Sequence, residues 1–136
     1  MKKDKARESI EKKLGNAMVV ITDHKRYSVA LFYDLQNDDS APKVVEKGDI
    51  RTFEIINQEA GKKGIDLFDS PFLACILHLT TDVDQEIIKD HYLPVAHVIA
   101  FVVNSRYGSE YHFKKPTPDK YVLRSMGLNI KTAMPN

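Results

Sequence analysis

Four apolar residues in a row, Met18-Val19-Val20-Ile21, three of them β-branched, limit the folds open to this chain more than any other stretch. Such a run offers water no polar side, so it reads as a strand covered on both faces, with structure packed above and below it. The polar stretch Thr22–Arg26 follows. Beyond it, Tyr27-Ser28-Val29-Ala30-Leu31-Phe32-Tyr33 places Tyr27, Val29, Leu31 and Tyr33 on one face at period two, a second strand.

Downstream, residues 34–42 (DLQNDDSAP) collect the Asp, Asn, Ser and Pro that favour turns. Asp49 to Lys63 reads as a helix: Ile50, Phe53, Ile56 and Ala60 group on one side, an acid stands at the start, and Lys62-Lys63 precedes Gly64. Ile65-Asp66-Leu67-Phe68 is β-compatible and follows directly. Strand, helix and strand in succession imply an α/β class, a small central sheet of about four strands flanked by helices in a single domain. Ser70 as N-cap and Pro71 at the first helical position open a helix from Phe72 to about Leu79, with Ser70 supplying the capping oxygen.

The last core helix runs from Ile88 or Asp90 to Val103, with Tyr92, Val95, Ala96, Ile99 and Val102 at three-and-four spacing. Pro94 favours the later start, because a proline near the first turn costs little whereas one in the interior removes a hydrogen bond. Residues 1–16 are a charged linker or frayed helix, with only Ile10 as a large apolar side chain before Leu14. Residues 105–136 read as a flexible tail that adds little to the core, although Tyr107, Tyr111, Phe113 and Tyr121 leave room for a docking segment. The folded domain is expected over 17–104.

Composition bounds the function. The 136 residues and 43% hydrophobic content suit one domain with a real core. Twenty basic and 19 acidic residues leave a net charge of +1, so no one-signed field points to nucleic acid. A lone Cys75 excludes an internal disulfide and a cysteine-based zinc site, and reads as a buried thiol. No apolar run approaches the ~20 residues a membrane helix needs, and the charged N-terminus is no signal peptide. A soluble chain is expected.

Chemical constellations are weak. His91 and His97 lie six apart, which does not bring them together on a helix as zinc ligands. His24, His78, His91, His97 and His112 read singly as surface or core residues, and no nucleophile motif of the Gly-x-Ser-x-Gly kind occurs. Gly61-Lys62-Lys63-Gly64 lacks the phosphate-loop arrangement and follows a helix, so it serves helix termination. Lys25-Arg26-Tyr27 and Tyr111-His112-Phe113-Lys114-Lys115 interleave basic and aromatic residues as single-strand binders do, but two short patches are thin support. No metal and no cofactor is implied.

The order of segments over about 17–103 is more specific. Ala17-Met18-Val19-Val20-Ile21-Thr22, then Tyr27 to Asp34, then Ala41-Pro42-Lys43-Val44-Val45-Glu46-Lys47-Gly48 resembles the cytoplasmic domain of the FlhB/YscU family, the export-switch proteins of flagellar and injectisome type III secretion. Gly64-Ile65, Ser70-Pro71-Phe72-Leu73-Ala74 and Tyr92 to Val102 continue the resemblance, and the last resembles the family's closing helix. Registering Tyr27 against the residue after the family's Asn-Pro-Thr-His cleavage motif puts Asp23, His24, Lys25 and Arg26 on those four positions.

The resemblance implies a scaffold without its chemistry. Cleavage in the family needs an asparagine carboxamide nitrogen to attack its own main-chain carbonyl and close a succinimide as the proline nitrogen departs. An aspartate of ordinary pKa, about 3.9, is ionised at neutral pH, and its oxygen would give a readily reversed anhydride. Hence no catalytic residue is assigned, and the chain is expected to stay intact.

Partners implied by the resemblance are export-apparatus proteins and secreted substrates, at the cytoplasmic face of the bacterial inner membrane. The membrane would be touched only indirectly or through an N-terminal anchor outside this sequence, which reads as an excised domain or a soluble paralogue. Ala41, Pro42, Ala96 and Ile99 are the implied contact residues, with plain core as the other reading of the last two, and Asp23–Arg26 forms a second candidate surface. Three alternatives stand beside this one: a soluble regulatory paralogue, a nucleic-acid adaptor, and a small enzyme using Asp23 and His24 as an acid/base pair.

Overall fold

In the computed structural model, which describes residues 2–37, 39–107 and 115–125, the apolar run becomes β1 (Val19–Thr22) in the interior of a four-stranded sheet. β1 pairs antiparallel with β2 (Ser28–Phe32), and β2 pairs antiparallel with β3 (Lys43–Gly48). On its other side β1 runs parallel to β4 (Asp66–Asp69), giving the order β3-β2-β1-β4. Every residue of β1 is buried, as a strand covered on both faces requires.

Alternation along the strands feeds two cores. Val19, Ile21, Val29, Leu31, Val44 and Phe68 face α3 (Pro71–Thr80) and α4 (Tyr92–Tyr107). Val20 and Ala30 face the opposite way, toward α1 (Lys2–Lys13) and α2 (Phe53–Lys62). The sheet is thus sandwiched between two helical layers, the α/β arrangement expected from the sequence.

Four elements differ from the reading by pattern alone. β3 has no apolar alternation, because it lies at the sheet edge and carries a bulge: Ala30 opposes Glu46 while Leu31 opposes Val44, leaving Val45 as the extra residue. α2 begins at Phe53 instead of Asp49. The Asp49 carboxylate accepts the Arg51 amide at 2.9 Å and closes a turn there, so Ile50 sits outside the helix and is 67% exposed. Gly48, just before that turn, permits the close approach of α2, since a Cβ there would lie 2.7 Å from the Ile56 side chain and 3.1 Å from the Phe53 nitrogen.

The N-terminal segment is a helix, and it contributes to a core. Ile10 and Leu14 are buried against Ile56 and Ala60, roughly 2 kcal/mol each by apolar burial. Arg7 reaches Glu59 of α2 at 2.6 Å. Ile10 of α1 and Leu14 just past its end lie four apart and so share one side, the side that meets α2.

Beyond α4, residues 115–125 also fold back: α5 (Pro118–Ser125) buries Val122 and Leu123 at three-and-four spacing from Asp119, at an amphipathic density too short to stand out in the sequence. Much of the stretch read as a tail, 108–114 and 126–136, and with it His112 and the Tyr111–Lys114 basic-aromatic patch, lies outside the described residues.

α5 also changes how α3 is capped. Ser70 makes no capping bond of its own. Instead the buried Asp119 carboxylate accepts the Leu73 amide at 3.0 Å and the Ser70 hydroxyl at 2.6 Å, so the acceptor for the helix start arrives from across the fold. A carboxylate is a stronger acceptor than a hydroxyl, and at the N-terminus of α3 it also meets the positive end of the helix dipole. α4 follows a 3-10 turn, Lys89–His91, which puts Pro94 in its first turn and agrees with the later start.

Candidate functional site

The loop between β1 and β2 is built around one side chain. Asp23 Oδ1 accepts the amides of Lys25 (2.9 Å), Arg26 (2.7 Å) and Tyr27 (2.9 Å), and the Asp23 amide donates to the Tyr27 carbonyl across the hairpin. Burial opposes ionisation of this carboxyl, but the amide bonds from Arg26, Tyr27 and Lys25 outweigh it, with help from the Arg26 charge, and hold it below the ordinary 3.8. Asp23 is therefore anionic at neutral pH and committed to the loop's own backbone.

His24 adopts a left-handed conformation, φ +60°. That geometry is uncommon for a residue with a Cβ and is over-determined here: the His24 amide donates to Thr22 Oγ1 at 3.0 Å, and the Thr22 hydroxyl donates to the Tyr27 carbonyl at 2.9 Å. Beneath lies a polar cluster. Ser28 Oγ stands 2.8 Å from Thr22 Oγ1 and 2.6 Å from Asn57 Oδ1, while Asn57 Nδ2 donates to Thr22 Oγ1 at 3.3 Å. α2 thereby braces the hairpin end.

Tyr27 leaves the loop toward α3, where its ring centroid lies 4.6 Å from that of His78. Burial and the nearby Lys47 ammonium, against a weaker pull from Asp49, push the His78 pKa down, so the ring is neutral. Lys47 donates to the carbonyls of His78 and Thr81 at the end of α3. His24, Lys25 and Arg26 are exposed, and Arg26 rests over the Tyr27 ring. With Oδ1 engaged by three amides, Asp23 is a structural acceptor, not half of an acid/base pair with His24.

Ala41 and Pro42 are half-buried where the chain enters β3, fastened by the Ile87 amide to the Pro42 carbonyl at 2.9 Å. On α4, Ala96 is exposed, whereas Ile99 is 6% exposed and packs into the core with Val95 and Val102. The four residues do not present one surface: Ile99 supports it from inside. Residue patterning missed Ile88, Tyr92 and Leu93, which are 42%, 40% and 53% exposed. The available signal was the apolar content of α4 on both sides, with Leu93, Ala96 and Ala100 spaced along the face opposite Val95, Val98 and Val102.

No helix of the described residues is long and apolar enough to cross a membrane, and among them no cluster of histidine, cysteine and carboxylate side chains is arranged to hold a metal ion. Cys75 is half-buried.

A family model described as the FlhB HrpN YscU SpaS family matches residues 1–102. The flagellar biosynthetic protein FlhB of Escherichia coli (strain K12) is 33% identical over 102 residues, which are 75% of this chain and 26% of that protein. The chain spans about a quarter of the length of the curated relatives it matches. Among solved structures, the cytoplasmic domain of FlhB from Shewanella putrefaciens superposes with a TM-score of 0.71 at 27% identity, over 85% of this chain and 94% of that one. The C-terminal domain of EscU carrying an asparagine-to-aspartate mutation gives a TM-score of 0.64 at 24% identity, over 68% of this chain and 98% of that one, a likeness of fold.

Proposed function

Because the chain belongs to the FlhB HrpN YscU SpaS family, we propose that it is a docking domain of a type III export apparatus that lacks the family's backbone cleavage. The observation that carries this reading is the Asp23 loop. It offers no carboxamide nitrogen, its carboxylate is anionic and held by three amides, and the following residue sits at φ +60°, which a proline ring locked near about −65° cannot adopt.

What the chain keeps is a surface. The exposed face of α4 around Leu93 and Ala96, next in function to the half-buried Ala41 and Pro42, is the docking surface of this reading, with secreted substrates and export-apparatus proteins as partners at the cytoplasmic side of the membrane. Apolar side chains left exposed on a helix are what a short peptide segment can cover.

Intact mass measured after prolonged incubation at neutral pH tests the first half. One full-length species is expected, and spontaneous scission between Asp23 and His24 would refute it. The companion variant Asp23→Asn, His24→Pro, Lys25→Thr, Arg26→His shows whether the scaffold can still support cleavage. For the second half, N-terminal segments of secreted export substrates from the same organism are titrated into isotope-labelled protein. Shifts are expected at Leu93, Ala96 and Ala41, weakened in Ala96→Asp. Binding that ignores that variant removes the surface from consideration.

A further inference from the structure

A recess lies where the start of α5 folds against α4. Its volume is about 430 Å³, and its walls include His97 and Phe101 of α4 with Lys115, Pro116, Lys120 and Tyr121. No acidic side chain among the described residues lines it. Among the described residues neither Lys115 nor Lys120 is paired with a carboxylate. Asp119, the acid of α5 itself, is turned inward and engaged by Ser70 and Leu73.

Those inward bonds also make the recess a built feature. Asp119 pins the first turn of α5 to the start of α3, Val122 and Leu123 bury the next turn, and the Tyr121 ring meets His97 edge-on at 5.0 Å. The Lys115 ammonium lies over the Phe68 ring, 5.4 Å from its centroid, a cation–π contact that fixes it at the recess without a carboxylate. Two ammonium groups, an imidazole and an aromatic floor therefore converge, and among the described residues no carboxylate pairs with either ammonium.

We propose that this recess is a docking site for an acidic peptide segment carrying an aromatic or apolar residue among its carboxylates. Lysine presents a point charge on a flexible stem, suited to separate carboxylates, and lacks the planar fork that grips phosphate bidentately. Phe101, Pro116 and Tyr121 give the apolar residue a wall to lie against. A net charge of +1 supplies no long-range field to gather a polyanionic nucleic acid. The site adjoins the α4 face of the export reading at Ala100 but does not use Ala41, Pro42, Leu93 or Ala96, so Ala96→Asp should leave EEFEE binding unchanged.

The test uses the full chain, isotope-labelled, and two acetylated pentapeptides, EEFEE and its uncharged counterpart QQFQQ. EEFEE is expected to shift the resonances of His97, Ala100, Lys120 and Tyr121, and to weaken as salt rises. QQFQQ should leave them in place. Lys115→Glu/Lys120→Glu should weaken EEFEE by about tenfold or more, the loss of two exposed ion pairs, with Lys115→Gln/Lys120→Gln between it and the native chain and its melting temperature as the folding control. Equal binding of QQFQQ, no shift at these residues, or larger shifts there from inorganic phosphate or a single-stranded oligonucleotide at the same concentration would each overturn the proposal.

Discussion

Replacing His24 probes the loop directly, since its left-handed φ of +60° is what separates this hairpin from one that could hold a proline. In His24→Pro the ring would force a rotation of about 125° to reach its fixed φ. That removes the His24 amide bond to Thr22 Oγ1, which is part-buried, and carries off the part-buried Tyr27 amide bond to Asp23. Each is worth about 1 kcal/mol net. The Lys25 and Arg26 amides are exposed and can turn to water at little cost. With some strain in the rearranged hairpin added, the sum is about 2–3 kcal/mol. For a chain of this size that lowers the melting temperature by about 6–10 °C.

His24→Gly goes the other way. Glycine escapes the roughly 1–2 kcal/mol that a left-handed conformation costs an L-residue, and gives back about 0.5–1 kcal/mol in backbone entropy, so the variant should match or slightly exceed the native protein. Calorimetric melting of the three proteins side by side, with amide spectra to confirm that changes stay in the hairpin, reads out the series. A proline variant that melts no lower than the native chain, or a glycine variant that melts well below it, would refute the loop geometry and with it the structural ground for the lost cleavage.

Asp119→Ala leaves the buried Ser70 hydroxyl and Leu73 amide without their acceptor and should cost about 2–4 kcal/mol, with faster hydrogen exchange at Leu73 than at Val20; unchanged exchange there would show that α5 does not cap α3. The Arg7 hydrogen bond holds the Glu59 carboxyl below its ordinary 4.5, with Lys62 assisting and burial opposing. Its contribution is complete above that unfolded value and is lost as pH falls through the lower folded one, so Arg7→Ala should flatten the acid limb of the stability curve and leave its shape at neutral pH alone. A curve as steep as that of the native protein would show that the α1–α2 pairing carries no linkage.

Legibility varied with how local the governing interactions are. β1, β2, the bodies of α2 and α3 and the position of Pro94 in α4 could be read because each repeats the period of its own secondary structure or carries its own breaker. The start of α2 could not, because the Asp49 side chain chooses a turn over a helix by a bond only one residue pair long. β3 could not either: an edge strand with a bulge shows no alternation. At the candidate site, Asp23–Arg26 stood out as a polar break between two strands, but the role of Asp23 depended on where three amides point.

Residue order alone therefore sufficed for a central sheet flanked by helices, for the family resemblance over about residues 17–103, and for the absence of an asparagine-proline pair where β1 meets β2, since all of these rest on side-chain type and spacing. Three-dimensional packing was needed to leave Tyr92, Leu93 and Ala96 of α4 outside, to make Ile10 and Leu14 part of a core, and to bring Asp119 to Ser70, 49 residues before it, at the start of α3. Burial and long-range capping are properties of surfaces meeting in space, and no local period along a chain encodes which surfaces will meet.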